Sequence, residues 1–140
     1  MLPLRLVLVT NIIVSAALKP DGLRRTVLLL AMTRPARLYV SPAIFSEYKL
    51  VLSRPELKIR KGLRQELLRR IEDISHMVSP SGQLRVTSDP DDNIFLECAD
   101  AARSDYLVTS NLRHFPKFWK QTKIVPSRDF ITLLAPHLVR

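Results

Sequence analysis

Three of the thirteen acidic residues of this 140-residue chain fall within one short segment, Asp89-Pro90-Asp91-Asp92-Asn93. Carboxylates this close repel each other unless a cation or the amino end of a helix offsets their charge. Hard divalent cations such as Mg²⁺ and Mn²⁺ prefer carboxylate and water oxygens, so the segment is a candidate metal site. The simpler interpretation is that Asp92 or Asn93 caps a following helix. Both interpretations stay open on this segment alone.

Other polar residues follow the segments that we predict as strands. Thr10 and Asn11 follow the first strand, Glu47 lies in the helix after the second, and Thr109-Ser110-Asn111 follows the fourth. Ligands of parallel α/β sheets bind outside the carboxyl ends of the strands, so these segments can meet the acidic segment at one edge of the sheet. Taken alone, Glu47 could equally be a solvated residue beside the apolar stripe of its helix.

Alternating strands and helices would position these residues. Periodicity and turn residues predict strands at 4–9, 38–40, 84–87, 106–109 and 122–125. They predict helices at 12–18, 23–32, 43–52, 62–78 and 94–102, and a last one capped by Ser127 and running to 134. This order favours a single domain over residues 1–140: an α/β three-layer sandwich with a central, mainly parallel sheet of about five strands and helices on both faces.

The charge balance points to a polyanionic partner. The chain has 22 Lys and Arg against 13 Asp and Glu, a net charge of +9, and such a surface attracts RNA or DNA. Seven basic residues and two acidic ones lie between residues 54 and 70. Arg54, Arg60, Lys61 and Arg64 are therefore candidate contacts of a phosphate backbone, with a solvated helix face as the alternative.

Several classes of protein are disfavoured by the sequence. The single cysteine, Cys98, excludes a disulfide within the chain and a cysteine-based zinc site, and it fits a reducing cytoplasm. With three glycines, the chain has no glycine-rich phosphate loop. The apolar start is interrupted by Arg5, Thr10 and Asn11, which favours a strand and a helix over a signal peptide or a membrane span. We expect a cytoplasmic protein without membrane contact.

Four segments match, in order and over nearly the whole chain, the motifs of a known family. Residues 6–16 (LVLVTNIIVSA) are similar to an opening strand with hydrophobic-x-Asp-Thr-Asn and a helix. Residues 91–99 (DDNIFLECA) resemble a central acidic motif, and 105–116 (DYLVTSNLRHFP) a fourth-strand motif. Residues 125–130 (VPSRDF) are similar to a closing strand and helix. Together they resemble the PIN-domain family, in its VapC-like branch of toxin components.

The resemblance implies an endoribonuclease, the toxin of a toxin–antitoxin pair, that hydrolyses RNA with Mg²⁺ or Mn²⁺ held by three or four acidic residues. Glu47 corresponds to the family's helix glutamate, and Asp92, or its neighbour Asp91, to the central aspartate. Thr109 corresponds to the hydroxyl residue beyond the fourth strand, and Asn11 to the residue supporting the first aspartate. The ions would activate a water and stabilise charge on the phosphodiester. The partners implied are RNA, a cognate antitoxin and a second copy of the chain.

Two residues depart from the family's pattern. Val9 stands where the first aspartate is expected, and valine can neither ligate a metal nor position a water. Asn111 stands where many members carry a fourth aspartate, and it offers an oxygen without charge. Glu47 and Asp92 remain as carboxylates, so weaker metal binding and impaired activity are expected. The alternatives are an inactive PIN domain that binds RNA or an antitoxin, and a basic α/β interaction module without a metal site.

Overall fold

The computed structural model describes residues 4–81, 87 and 89–138. Its strands are β1 (Leu4–Leu8), β2 (Ala36–Val40), β3 (His76–Met77), β4 (Tyr106–Val108), β5 (Phe118–Trp119) and β6 (Thr122–Val125). Its α-helices are α1 (Thr10–Leu18), α2 (Leu23–Ala31), α3 (Pro42–Leu52), α4 (Lys61–Ile74), α5 (Pro90–Ala102) and α6 (Ser127–Leu134). Short 3₁₀ turns occupy Pro55–Leu57, Leu112–His114 and Pro136–Leu138.

The strands form one sheet in the order β3-β2-β1-β4-β6-β5, and every neighbouring pair is parallel except β5 with β6. β1 lies inside it, with Leu6 paired to Leu38 of β2 and to Tyr106 of β4. Leu6 and Val7 point to opposite faces and both are fully buried, so both faces of the sheet are covered. The α/β architecture with a mainly parallel sheet is confirmed. The described sheet has six strands, against about five predicted.

Helix α3 begins where the sequence predicts, and it is fastened to the central strand. The Ser41 hydroxyl accepts a hydrogen bond from Ile44 N at 3.2 Å, and Pro42 occupies the first turn. One turn later the fully buried Tyr48 donates its hydroxyl to the Leu8 carbonyl at 2.5 Å. This bond holds α3 against the carboxyl end of β1, and so it places the preceding residue, Glu47, at that end.

Helix α5 begins four residues earlier than predicted, at Pro90. Asp89 is its capping residue, and the Asp89 side chain accepts a hydrogen bond from Asp91 N at 2.9 Å. The interpretation of Asp92 or Asn93 as the cap is therefore wrong, because Asp91 and Asp92 already lie in the first helical turn. Proline is suited to the first helical position, and the helix dipole favours acidic residues there.

Other differences arise at the sheet edges. The helix predicted at 62–78 ends at Ile74, and β3 follows because the free edge of β2 offers backbone partners, including Val40 O for Val78 N at 2.9 Å. The predicted strand 84–87 lies outside the described residues except for Thr87. The two-residue β5 was not predicted. Ser127 does not cap α6, since it is the first helical residue and its hydroxyl has no partner among the described residues.

None of the helices among the described residues has both the length and the apolar character needed to cross a membrane.

Replacing Tyr48 by phenylalanine tests the bond that holds α3 against β1. Tyr48→Phe leaves the Leu8 carbonyl buried without its side-chain partner, so we expect the free energy of unfolding to fall by about 1–3 kcal/mol. Urea denaturation measures it. Tyr106→Phe is the matched control, because the Tyr106 hydroxyl bonds to none of the described residues. Equal effects of the two variants would contradict the assignment.

Candidate functional site

A cleft of about 620 Å³ opens at the carboxyl ends of β1 and β4. The predicted site residues that line it are Val9, Asn11, Glu47, Arg54, Asp91, Asp92 and Asn111. Asp89 and His114 line it as well. The cleft therefore collects side chains from four distant segments, and parallel pairing is the cause, since it brings strand ends to the same edge. Thr109 lies beneath the cleft and is fully buried.

Glu47 is held in the cleft by a residue that the predicted site did not include. The Thr10 hydroxyl donates a hydrogen bond to Glu47 Oε2 at 2.8 Å. Thr10 is the first residue of α1 and is buried, whereas Glu47 is half-buried on α3. The bond orients one carboxylate oxygen and leaves Oε1 free of any side-chain partner among the described residues. The position of Thr10 directly after β1 was the available signal.

Asp92 is paired with a histidine across the cleft. Asp92 Oδ2 lies 3.1 Å from His114 Nδ1, and the Asp92 side chain is 15% exposed against 52% for His114. Asp92 occupies the first turn of α5, where the helix dipole favours negative charge. His114, in the 3₁₀ turn after β4, thus orients this carboxylate at the cleft wall.

A small polar network joins α1 to the segment after β4. Asn11 Oδ1 accepts from Ser110 N at 3.1 Å, and Asn11 Nδ2 donates to the Thr109 hydroxyl at 3.5 Å. The Thr109 hydroxyl also accepts from Asn111 N at 3.0 Å. Asn11 and Thr109 thus fix the backbone from which the exposed Asn111 side chain projects, and neither amide adds charge to the cleft.

Val9 lies at the end of β1, in the wall of the cleft. Its N–H donates to Val108 O and its carbonyl accepts from Ile12 N, both at 3.0 Å, so its backbone closes the strand and starts α1. Its side chain is 5% exposed and belongs to the hydrophobic core. An apolar side chain therefore stands beside Thr10 at the centre of the strand ends.

The acidic groups of the cleft disfavour each other's charge. Burial raises the pKa of Glu47, and the nearby Asp91 and Asp92 raise it further, while the Thr10 hydrogen bond and Arg54 oppose the shift. Burial and then Asp89 raise the pKa of Asp92, and His114 opposes this. Negative charge in the cleft is thus only partly compensated, and a cation would relieve the repulsion.

The described residues do not include a group of three Asp, Glu, His or Cys side chains arranged to hold a metal ion. Glu47 and Asp92 line the same cleft, but Thr10 and His114 each engage one of their oxygens. This arrangement fits two carboxylates that would hold a cation partly through water. It does not fit a cage of three carboxylates.

The predicted nucleic-acid contacts are only partly brought to the cleft. Arg54 lines it. Arg60 and Lys61 are exposed where α4 begins, and the Arg64 guanidinium donates to Ile59 O at 3.4 Å. Glu97 on α5 does not line the cleft. The structure therefore joins one of the four basic candidates to the acidic residues.

Comparisons with known proteins bear on the family and the fold of the chain. A family model of the PIN domain matches residues 5–113. The uncharacterized protein MJ1680 of Methanocaldococcus jannaschii is 27% identical over 99 residues, which are 69% of this chain and 64% of that relative's length. In fold, the chain is similar to a chain in the crystal structure of VapBC2 from Rickettsia felis bound to a DNA fragment from their promoter. That match has a TM-score of 0.58 and 17% identity, and it covers 88% of this chain and 98% of the other.

The chain therefore belongs to the PIN domain family, because the family model covers most of it, from β1 to the turn after β4. The family and fold expected from the sequence are confirmed.

Neutralising Glu47 should stabilise the protein. The pKa of Glu47 is raised in the folded protein. The folded protein therefore binds the carboxyl proton of Glu47 more tightly than the unfolded chain does. Stability is then lost as pH rises from the ordinary glutamate range through the folded pKa. We expect Glu47→Gln to increase the free energy of unfolding at about pH 7, and the gain to vanish near about pH 3, where the carboxyl is protonated in both states.

Urea titrations at both pH values, in EDTA, measure this difference. Glu72→Gln is the control, since Glu72 is exposed on α4 and does not line the cleft. A loss of stability in Glu47→Gln at pH 7 would show that the charge of Glu47 is stabilising.

Proposed function

We propose that this PIN domain is a VapC-like ribonuclease toxin that hydrolyses RNA phosphodiesters with Mg²⁺ or Mn²⁺, and that Val9 weakens its activity. The observation that carries the proposal is the acidic cleft at the carboxyl ends of β1 and β4 in a chain of net charge +9. Metal-assisted cleavage of a polyanion needs acidic side chains that hold the cation and a basic surface that attracts the substrate. This chain has both.

The expected partners follow from the same proposal. RNA is the substrate, and the likeness in fold to a chain of VapBC2, a complex bound to a fragment of promoter DNA, supports a cognate antitoxin. A homodimer and a cytoplasmic location complete the proposal. The single cysteine, Cys98, is buried and needs no oxidising compartment.

Glu47 and Asp92 are the residues that would hold the cation, with Asn111 as a neutral oxygen donor and Asp91 as the neighbouring carboxylate. A bound divalent ion would supply an activated water and stabilise charge on the phosphodiester. Thr10 orients Glu47, His114 orients Asp92, and Asn11 with Thr109 holds the segment that carries Asn111. Arg54 lies where it can meet a phosphate of the RNA.

The second candidate is a PIN domain that binds RNA or an antitoxin without cutting. One observation favours it: at the centre of the strand ends the side chain is valine, and its methyl groups fill the wall of the cleft. Here the carboxylates and Arg54 would contact a partner and perform no chemistry. RNA binding without cleavage in Mn²⁺ would favour this candidate over the first.

The nuclease proposal makes a direct prediction for the two carboxylates. In Mn²⁺, we expect slow cleavage of RNA by the native chain and a loss of at least about 100-fold in Glu47→Ala and in Asp92→Ala. Loss of a residue that merely orients a metal ligand already costs about 10–100-fold. Labelled single-stranded RNA resolved on denaturing gels gives the rates, with Glu72→Ala as control. Cleavage that survives both cleft substitutions would remove these residues from the site.

Restoring a carboxylate at position 9 should strengthen both metal binding and cleavage. We expect Val9→Asp to bind Mn²⁺ at least about 10-fold more tightly, because affinity rises with the number of charged ligands. Without metal, the buried carboxylate should destabilise the fold, and Mn²⁺ should reverse this by mass action.

Isothermal titration with Mn²⁺ measures the binding, and thermal unfolding in Mn²⁺ and in EDTA measures the stability. Val9→Asn is the matched control, because asparagine has nearly the shape of aspartate but no charge. If Asp and Asn behave alike at this position, Val9 does not occupy a ligand position. If the native chain and Val9→Asp both show no heat of binding, the cleft is not a metal site.

A further inference from the structure

A second cavity lies at the opposite edge of the sheet from the acidic cleft. It has a volume of about 810 Å³ and is lined by Met32, Arg34, Pro35, Ala36, Arg37, Leu38, Ile74 and His76. Ala36 begins β2 and His76 begins β3, which places the cavity at the amino ends of these strands. Its volume falls within the range of about 300–1,000 Å³ that is usual for sites of small ligands.

The charged side chains that line this cavity are positive and form no ion pairs with the described residues. Arg34 and Arg37 are exposed and form no ion pair with the described residues, and no described residue that lines the cavity is acidic. Arg37 also pairs in register with Arg5 of β1. The Arg5 guanidinium donates to the Ala102 carbonyl at 3.0 Å and Arg5 does not line the cavity, so Arg34 and Arg37 are the charges that a bound anion would meet there.

Two helices end beside the cavity and oppose this charge in part. Met32 follows α2 directly, and Ile74 is the last residue of α4. The carbonyl end of a helix carries about half a negative charge, so two ends together amount to about one charge. The two arginines carry two full positive charges, so the cavity keeps a net positive charge after the helix ends are offset.

The remaining lining is suited to a flat, apolar group. Ile74 is 40% exposed and Met32 is half-buried, so both present apolar surface to a ligand. His76 is exposed, and its ring packs on Tyr39 with 5.2 Å between centroids, which holds it in place at the cavity. Tyr39 in turn lies beneath the guanidinium of Arg5 at 5.9 Å. A ring braced on one side can stack on a base with the other.

We propose that this cavity binds a nucleotide, with the phosphate held by Arg34 and Arg37 and the base packed against Ile74, Met32 and His76. The ligand is a free nucleotide or a nucleotide unit of an RNA chain, and the site is separate from the acidic cleft. The inference does not depend on nuclease activity, because neither Glu47 nor Asp92 lines this cavity.

Titration with AMP in EDTA tests the proposal, since the chelator removes binding that depends on a metal. We expect Arg37→Gln to raise the Kd for AMP by about 10-fold or more, because hydrogen bonds between arginine and phosphate are charge-assisted. Ile74→Gln should weaken AMP binding but leave the weak binding of inorganic phosphate unchanged. Arg128→Gln is the control, because Arg128 is exposed on α6, away from the cavity.

Backbone NMR shifts on addition of AMP should concentrate at residues 32–38 and 74–76. Shifts confined to the acidic cleft, or an unchanged Kd in Arg37→Gln, would overturn the proposal. Phosphate binding as tight as AMP binding would overturn the role of the base. A lower thermal stability of Arg37→Gln with unaltered AMP affinity would show that the arginine only offsets the helix ends, which also overturns it.

A six-nucleotide RNA distinguishes the two sources. If it binds more tightly than AMP and loses this affinity in Arg37→Gln, the ligand is an RNA chain. If it binds no better than AMP, the ligand is a free nucleotide.

Discussion

Parallel pairing of β1 with strands on both of its sides is the constraint on which the cleft depends. The pairing continues just past the strand ends, since Val9 N donates to Val108 O at 3.0 Å and Thr109 N donates to Val125 O at 3.1 Å. Helix α1 and the segment after β4 therefore start side by side, close enough for Asn11 to bridge them. Tyr48 adds the third segment by bonding to Leu8. The acidic and amide groups meet because these segments all begin or are fastened at the same edge of the sheet.

The negative charges of the cleft carboxylates lower the stability of the folded protein. Burial and neighbouring carboxylates raise the pKa of Glu47 and Asp92, and only Thr10, Arg54 and His114 oppose these shifts. A fold selected for stability alone would not gather carboxylates there, whereas a site that meets a cation or a basic partner gains from them. This is the physical reason to place the proposed nuclease chemistry in the cleft and not in the larger basic cavity.

Val9 separates the fold from the function. A valine at the end of a strand whose neighbours are fully buried suits the core, so membership of the PIN domain family does not depend on an aspartate there. Metal affinity does depend on charged ligands. The same residue is therefore favourable to the packing of β1 and unfavourable to the proposed nuclease. Its backbone still starts α1, which carries Thr10 and Asn11 into the cleft.

Sequence alone determined the order of the principal strands and helices, the start of α3 at Ser41-Pro42, and the family, because periodicity, caps and motif order are local signals. Strand-end reasoning placed Glu47 and the acidic segment at one edge of the sheet, and the resemblance to the family then singled out Glu47 and Asp92. Tertiary structure decided the rest. β3 forms only because β2 has a free edge, and β5 is too short to show a period. The Thr10–Glu47 contact joins residues 37 positions apart, and the Asp92–His114 contact joins residues 22 positions apart. Local sequence patterns cannot predict contacts over such separations. The basic cavity likewise exists only where the ends of two helices and two strands meet.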